Sequence, residues 1–323
     1  MADWDETFDW VIVGSGGGAM TSALQMARLG KSVVMLEKSA WLGGTTAKSG
    51  GTMWVPNNRY MDPGEDSLDQ AITYLDAVVP DGPDSPGTSP ERRRAYAMNA
   101  PRMIDFLHGE GVAMERGSRF WPDYYDELPG GCRTSRTVQA LPFDKRALGP
   151  WEARLRRGFL EMPVRLDDAT KVPFAKFSWK LKAMIVRIGL RIVWGKLTGK
   201  HWVTAGAALQ GRMLHAVLKA GADVRAECPV DELVVEDGRV TGVVADGVTV
   251  ARCGSRRGWG CWSMPAASAR TRRCATSTCP ARAPNGRTRS KATPATCIAK
   301  WRGSARCSRR WTRWSASSRP AHR

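Results

Sequence analysis

Acidic residues are missing from the end of this chain. Residues 251–323 hold 18 of its 49 Lys and Arg and no Asp or Glu, which leaves 31 basic against 31 acidic residues in the first 250. The net charge of +18 therefore belongs to the tail and says nothing of nucleic acid or acidic surfaces for the body. Cysteine is scarce in the same region: only Cys132 and Cys228 precede the tail, which holds the other six of eight. Two cysteines with no disulfide framework suit a reducing cytoplasm. Long apolar runs are absent too. The longest, Leu181–Trp194, is interrupted by Arg187 and Arg191 and is too short to span a bilayer. The N-terminus lacks the basic, apolar and small-residue order of a secretory signal. No tyrosine follows Tyr125. The histidines His108, His201, His215 and His322 stand singly, as structural histidines do, and no metal site is expected.

Against these gaps, the opening fifty residues are dense with signal. Phe8–Val13 is a short apolar run that stops at glycines, as a buried parallel strand does. Ala19–Leu29 has helical spacing and Gly30 at its C-terminal cap; Ser32–Glu37 is a second strand. Within this βαβ unit, Gly14, Ser15, Gly16, Gly17, Gly18 and Ala19 link strand to helix. The first glycine permits the turn, the second lets backbone approach a pyrophosphate, and Ala19 is small enough for close helix–strand packing. A diphosphate would rest on the helix N-terminus. Glu37, closing the second strand, is placed to accept from ribose hydroxyls.

The stretch after Glu37 selects among dinucleotides. Lys38 leads into KSAWLGGTTAKSGG, where Gly43, Gly44, Gly50 and Gly51 allow close backbone approach and Thr45, Thr46 and Ser49 can donate to a phosphate or a flavin edge. A nicotinamide dinucleotide needs no such second run. FAD is the expected cofactor; a ligand-free glycine turn followed by a plain loop is the alternative.

Taken together, GSGGGAMTSALQMARLGKSVVMLEKSAWLGGTTAKSGG resembles the FAD-binding start of the fumarate reductase/succinate dehydrogenase flavoprotein superfamily. The following TMWVPNN, Thr52–Asn58, is similar to the 3-ketosteroid dehydrogenase-like branch. The likeness returns at 204–244, where CPVDELVVEDGRVTGVV matches later pieces of the FAD domain, and implies that backbone near Val230 meets the adenine. It further implies an α/β fold: a Rossmann-type FAD-binding domain made of residues 1–56 and 204–250, around a mostly helical insertion at 57–203. The signals in that insertion are a Pro- and Gly-rich loop over 80–90, a helix over Pro90–Gly109 with Tyr96, Ala100, Met103 and Leu107 on one side, and a basic amphipathic helix over Trp179–Trp194. That helix suggests either a membrane-surface contact or, more plainly, one packed face and one solvated basic face. Farther on, 204–220 reads as a helix ended by Gly221. The alternating runs 232–236 and 239–245, joined by Asp237-Gly238, read as a hairpin.

The same resemblance implies 1,2-desaturation of a 3-ketosteroid-like, small apolar substrate, in which a tyrosinate takes a proton and the flavin a hydride. Tyr124, in Trp121-Pro-Asp-Tyr-Tyr125, is the expected counterpart of the family's active-site tyrosine, with Trp121 as an aromatic wall and Tyr125 second; ordinary packing is the alternative. The proposed base tyrosine belongs to a later substrate domain absent here. Reduction of an activated alkene in the fumarate reductase manner is a second reading, and a non-enzymatic flavoprotein binding nucleic acid or anionic lipid a third. The electron acceptor and the oligomeric state are left open.

The tail, 251–323, shows no regular period and is expected to be disordered. Its cysteines form no C-x₂-C pair, and no nucleic-acid module accompanies its charge. GC-rich coding DNA read out of frame gives this composition. Trp259–Ala267, WGCWSMPAA, permits GVLVNAGG in a shifted frame, and Arg287–Ala299 permits NAIEGDTGDMHR in the same one. Both resemble continuations of the family's FAD domain. A one-frame shift near Ala251 is therefore expected, giving a truncated, inactive product.

Overall fold

The computed structural model describes residues 4–79, 86–118, 121–236, 238–245, 248–252 and 297–300. Two short strands open the chain, β1 (Glu6–Phe8) and β2 (Trp10–Val13), where the sequence suggested one. Asp9 divides them. Its carboxylate accepts from Ser32 N and Oγ at 3.0 Å, while its own N–H donates to Ser32 Oγ at 2.8 Å. This reciprocal clasp bends the backbone and sends the two strands into different sheets. Helix α1 (Gly17–Arg28) and strand β3 (Val33–Leu36) complete the βαβ unit.

The insertion carries more strand than its sequence suggested. After β4 (Met53–Trp54) come α2 (Leu68–Val78) and α3 (Pro90–Gly109). Strands β5 (Met114–Arg116) and β6 (Thr137–Ala140) then pair with β4 in the order β4-β6-β5, each too short to show a period. Helix α3 has the expected bounds and buries Ala97, Ala100, Ile104 and Leu107. Tyr96 instead turns aside and stacks on Trp54 at 6.1 Å. Strand β7 (Phe143–Asp144), the short helix α4 (Leu166–Lys171), helix α5 (Trp179–Leu197) and strand β8 (Trp202–Val203) close the insertion, with β8 pairing back on β7.

Helix α6 (Ala205–Lys219) returns to the first unit and is followed by β9 (Asp223–Arg225). Strands β2, β3 and β9 form a parallel sheet in the order β2-β3-β9, with Trp10 opposite Val33 and Val34 opposite Asp223. β3 is buried along its whole length, as a strand covered on both faces must be. Alanine and glycine let α6 sink into the core: a Cβ on Gly211 would stand 2.7 Å from the Phe143 ring. Met20, Ala23 and Leu24 of α1 share one cluster with Ala207, Met213, Leu214 and Val217 of α6.

A second sheet covers the far side. The hairpin β10 (Val230–Glu236) and β11 (Arg239–Ala245) forms as its turn residues suggested, with Gly238 at φ 72 and Asp237 outside the described residues. Strand β12 (Val248–Arg252) runs antiparallel to β11 and parallel to β1. Within the tail, one strand is described, β13 (Cys297–Lys300), on the outer edge of β10. Edge pairing uses backbone groups, so it requires no side-chain pattern. The remaining expectations for the tail, and for the loop at 80–85, fall outside the described residues.

Candidate functional site: the glycine cradle

The two glycine runs are folded against one another. Gly14 takes φ 90 and donates to Leu36 O at 2.7 Å, which turns the chain from β2 toward α1. Gly16 caps α1 without a side-chain bond, and the space where its Cβ would stand is empty to 4 Å. Gly17 and Gly18 begin the helix, and Ala19, next in it, is buried. From the second run, Gly44 (φ 53) crosses Gly16 so closely that a Cβ on Gly44 would lie 3.3 Å from Gly16 Cα. Thr46 Oγ1 accepts from Gly17 N at 3.3 Å. Gly51 (φ 64) meets the start of α6, where an added Cβ would stand 2.6 Å from Gly206 N. Ser49 Oγ accepts from Gly51 N at 3.0 Å and donates to Thr46 O at 2.8 Å. Gly43 takes φ 113 over Ala47, and Gly50 lies beside Thr52; Lys38 and Thr45 are exposed.

Glu37 is buried at the end of β3 and already engaged. One carboxylate oxygen accepts from Ser15 N (3.0 Å) and Ser15 Oγ (2.6 Å), the other from Ser39 N (3.0 Å). A carboxylate offers about four lone-pair sites, so one remains for a further donor such as a ribose hydroxyl. Ser15 Oγ accepts in turn from Gly43 N at 2.9 Å, joining the two runs through one hydroxyl. Cys228 N donates to Glu37 O at 2.9 Å, which brings the start of β10, and with it Val230, to the Glu37 end of the sheet.

Tyr124 and Tyr125 are held beside Trp54, three residues beyond Gly51. Asp123 accepts from Trp54 Nε1 at 2.7 Å, from Cys132 N at 3.0 Å and from Arg136 Nη1 at 2.7 Å. Arg136, wholly buried, also forms two bonds to Asp66 (2.9 and 2.6 Å) and lies over the Trp54 and Tyr74 rings. The loop is thus clamped at Asp123, while Tyr124 beside it is 98% exposed. Tyr125 N donates to Tyr74 Oη at 3.3 Å. The other three tyrosines are poor bases: burial pushes the phenols of Tyr60, Tyr74 and Tyr96 above their ordinary range. Trp121 is half-buried and its backbone N–H donates to Ser118 O at 2.9 Å. Of the histidines, His108 meets Tyr60 Oη at 2.9 Å, His201 pairs with Glu152, and His215 lies by Phe143. His322 is outside the described residues.

Residues 9–258 match the FAD binding domain family. The chain belongs to that family. Over 244 residues the FAD-binding chain is 33% identical to the 3-oxosteroid 1-dehydrogenase of Mycolicibacterium smegmatis, covering 74% of this chain and 42% of that protein. It is 34% identical over 249 residues to the 4-oxocyclohexanecarboxylate 2-dehydrogenase of Sinomonas cyclohexanicum, covering 74% of this chain and 40% of the other. Among solved structures it superposes on the 3-ketosteroid delta1-dehydrogenase of Sterolibacterium denitrificans, in complex with 1,4-androstadiene-3,17-dione. The TM-score is 0.67 and the identity 32%, over 76% of this chain and 46% of that one. The chain thus spans about two-fifths of the length of the curated relatives it matches.

The residues of the two glycine runs fit FAD on one further observation. Gln210, on α6, is fully buried, and both polar atoms of its carboxamide lack a partner. Its amide nitrogen would be 3.3 Å from a Cβ on Gly17, and its stem lies against Gly43. An unpaired amide costs about 1–3 kcal/mol, a penalty tolerated where a ligand group can relieve it. The sequence reading passed over Gln210, although a lone amide amid AGAALQGRML was the signal. It passed over the Asp66–Arg136–Asp123 cluster too, for which the sequence has no local sign. Among the described residues no helix is long and apolar enough to cross a membrane.

Proposed function

We propose that this FAD-binding domain serves the 1,2-desaturation of a 3-ketosteroid or similar cyclic ketone. The observation that carries the reading is the joined pair of glycine runs, set in a fold that superposes on a steroid-bound dehydrogenase. FAD, when bound, supplies the two-electron oxidant. This chain's own part is to hold the diphosphate at Gly14–Ala19, the ribose at Glu37, the adenine near Val230, and the flavin edge along Gly43–Gly51. Trp54 and Asp123 set the 121–125 loop beside the last of these, and Tyr124 contributes an exposed phenol to the substrate side, with Tyr125 second. Cys132 and Cys228 are both thiols, which suits a reducing cytoplasm.

The activity also needs a base to remove the second hydrogen as a proton and donors to polarise the ketone. Tyr60, Tyr74 and Tyr96 are unsuited to the first task, since burial favours their protonated form. The out-of-frame reading of 251–323 accounts for this gap. On that reading the 323 residues of the chain turn over no steroid by themselves and hold FAD weakly. Purified protein incubated with FAD and desalted, then assayed for steroid-dependent dye reduction, checks both statements. Colourless, inactive protein is the expected outcome; a tight yellow complex that reduces dye with steroid overturns it. Sequencing the gene and transcript across codons 245–265 checks the frame separately.

A further inference from the structure

Outside the FAD cradle, the insertion holds two more buried polar atoms without a partner. In the sheet β4-β6-β5, Val138 and Ala140 of β6 face the core shared with α6, so alternation turns Thr137 and Gln139 to the other face. Gln139 stands opposite Glu115 of β5, and Thr137 opposite Trp54 of β4. Gln139 is 1% exposed. Its Nε2 donates to Glu115 Oε1 at 3.2 Å, while its Oε1 has no partner among the described residues. Arg165, just before α4, pairs with the other Glu115 oxygen at 3.0 Å. Asp167, in the first turn of α4, meets Lys171 through Oδ2 at 2.9 Å, and its Oδ1 is also buried and unpaired among the described residues. Burial pushes the Glu115 carboxyl above its ordinary range; Arg165 pulls it back, and Asp167 and Asp168 add to the rise.

Both unpaired atoms are oxygens that only accept, so the group that completes them must bring hydrogen, which a carbonyl or a carboxylate does not. The carboxylates of Glu115 and Asp167 are already paired with Arg165 and Lys171, so a neutral donor suits the site better than an ammonium. The cluster lies on the side proposed for the substrate. Leu166, first in α4, would be 3.7 Å from a Cβ on Gly50, at the end of the second glycine run. Trp54, on the same sheet face as Gln139, holds the Tyr124 loop through Asp123. The ribityl hydroxyls of FAD are another source of such a donor. The sheet, however, stands between Gln139 and α6, whose Gln210 meets both glycine runs. We propose that Gln139 Oε1 accepts from an aliphatic hydroxyl on the substrate, with Asp167 Oδ1 as a second acceptor near it. A ligand without the hydroxyl leaves the Gln139 oxygen unpaired, so the site selects hydroxylated cyclic ketones over their deoxy analogues. That the ligand is a ketone rests on the proposed function; the hydroxyl site rests on the two unpaired oxygens.

The test uses the full chain and saturation-transfer NMR with 4-hydroxycyclohexanone, cyclohexanone, cyclohexanol and cyclohexylamine. The expected result is that 4-hydroxycyclohexanone binds about tenfold tighter than cyclohexanone. Gln139→Leu is expected to bring the two together, and Asp167→Ala to narrow the ratio, with thermal melting showing that each variant folds. Should Gln139→Leu not fold, Asp167→Ala, at a partly exposed position, carries the comparison. Equal binding of the two ketones by wild type, or binding of neither, overturns the proposal and leaves the oxygens to buried water. A preference that survives both substitutions overturns it too, and so does tighter binding of cyclohexylamine than of cyclohexanol. A hydroxyl preference that disappears when saturating FAD is added assigns the oxygens to the ribityl chain and overturns the substrate assignment. Cyclohexanol binding as tightly as 4-hydroxycyclohexanone, with the Gln139 dependence intact, supports the hydroxyl site and counts against the ketone reading alone.

Discussion

Strands β2 and β3 and helix α6 bury valine, alanine and glycine against one another, whereas the largest fully buried side chain in the insertion is an arginine. The first region is held by non-directional packing, and its glycines let backbones approach until a single Cβ would collide. The second is held by directional bonds, in which Arg136 bridges Asp66 and Asp123 across separations of 70 and 13 residues. Packing of the first kind loses stability by degrees, in step with the volume that is added or removed. A buried ion cluster fails when one member is lost, because the others remain charged without a partner.

The widest separation between the two regions is expected from Arg136→Met. It leaves two buried carboxylates unpaired and costs about 3–5 kcal/mol, read as a shift in the urea midpoint. A loss below about 1 kcal/mol would mean that the cluster adds little and the comparison fails. Next comes Gly51→Ala, which forces a Cβ into Gly206 at φ 64 and costs about 1–3 kcal/mol in thermal melting. The same substitution is expected to remove whatever FAD affinity a titration detects, since it pushes the second glycine run away from α6. The smallest effect, and the sharpest, belongs to Gln210→Leu. Ligand-free stability is expected to hold or to rise by about 1 kcal/mol, because an unpaired carboxamide is replaced by an apolar group. FAD affinity is expected to fall. Loss of stability in the absence of FAD would show that Gln210 is satisfied within the protein.

The same contrast explains what was legible beforehand. Repetition along the chain reports helices and strands, so β2, α1, β3, α3, α6 and the β10–β11 hairpin could be read with small errors at their ends. Glycine spacing reports the crossing of the two runs, because Gly14 (φ 90) takes an angle that side chains disfavour and Gly44 and Gly51 pass too close to other backbone for a Cβ. Glu37 stands at the end of β3, as its place in the sequence suggested, but its three bonds to Ser15 and Ser39 were not visible, since they depend on how two loops fold together. Asp9 and Ser32 divide what looked like one strand for a similar reason. The Arg136 cluster left no local trace, because an arginine and two distant aspartates look like surface charge until tertiary structure joins them. Periodicity showed that α5 is amphipathic. Which of its faces stays uncovered depends on its neighbours, and that only the fold reveals.

Strand β1 has one further consequence, and it concerns time. Its partner is β12, with Glu6 opposite Val250, and β3 is closed on its other edge only by β9. A ribosome adding about 5–20 residues each second delivers β12 on the order of tens of seconds after β1 has emerged. Throughout that interval β1 waits for β12, and for most of it the free edge of β3 waits for β9, while the insertion between β3 and β9 is being synthesised. The nascent chain must therefore keep two half-built sheets from meeting other strands, and any event that corrupts the message near codon 251 strikes at the moment of closure.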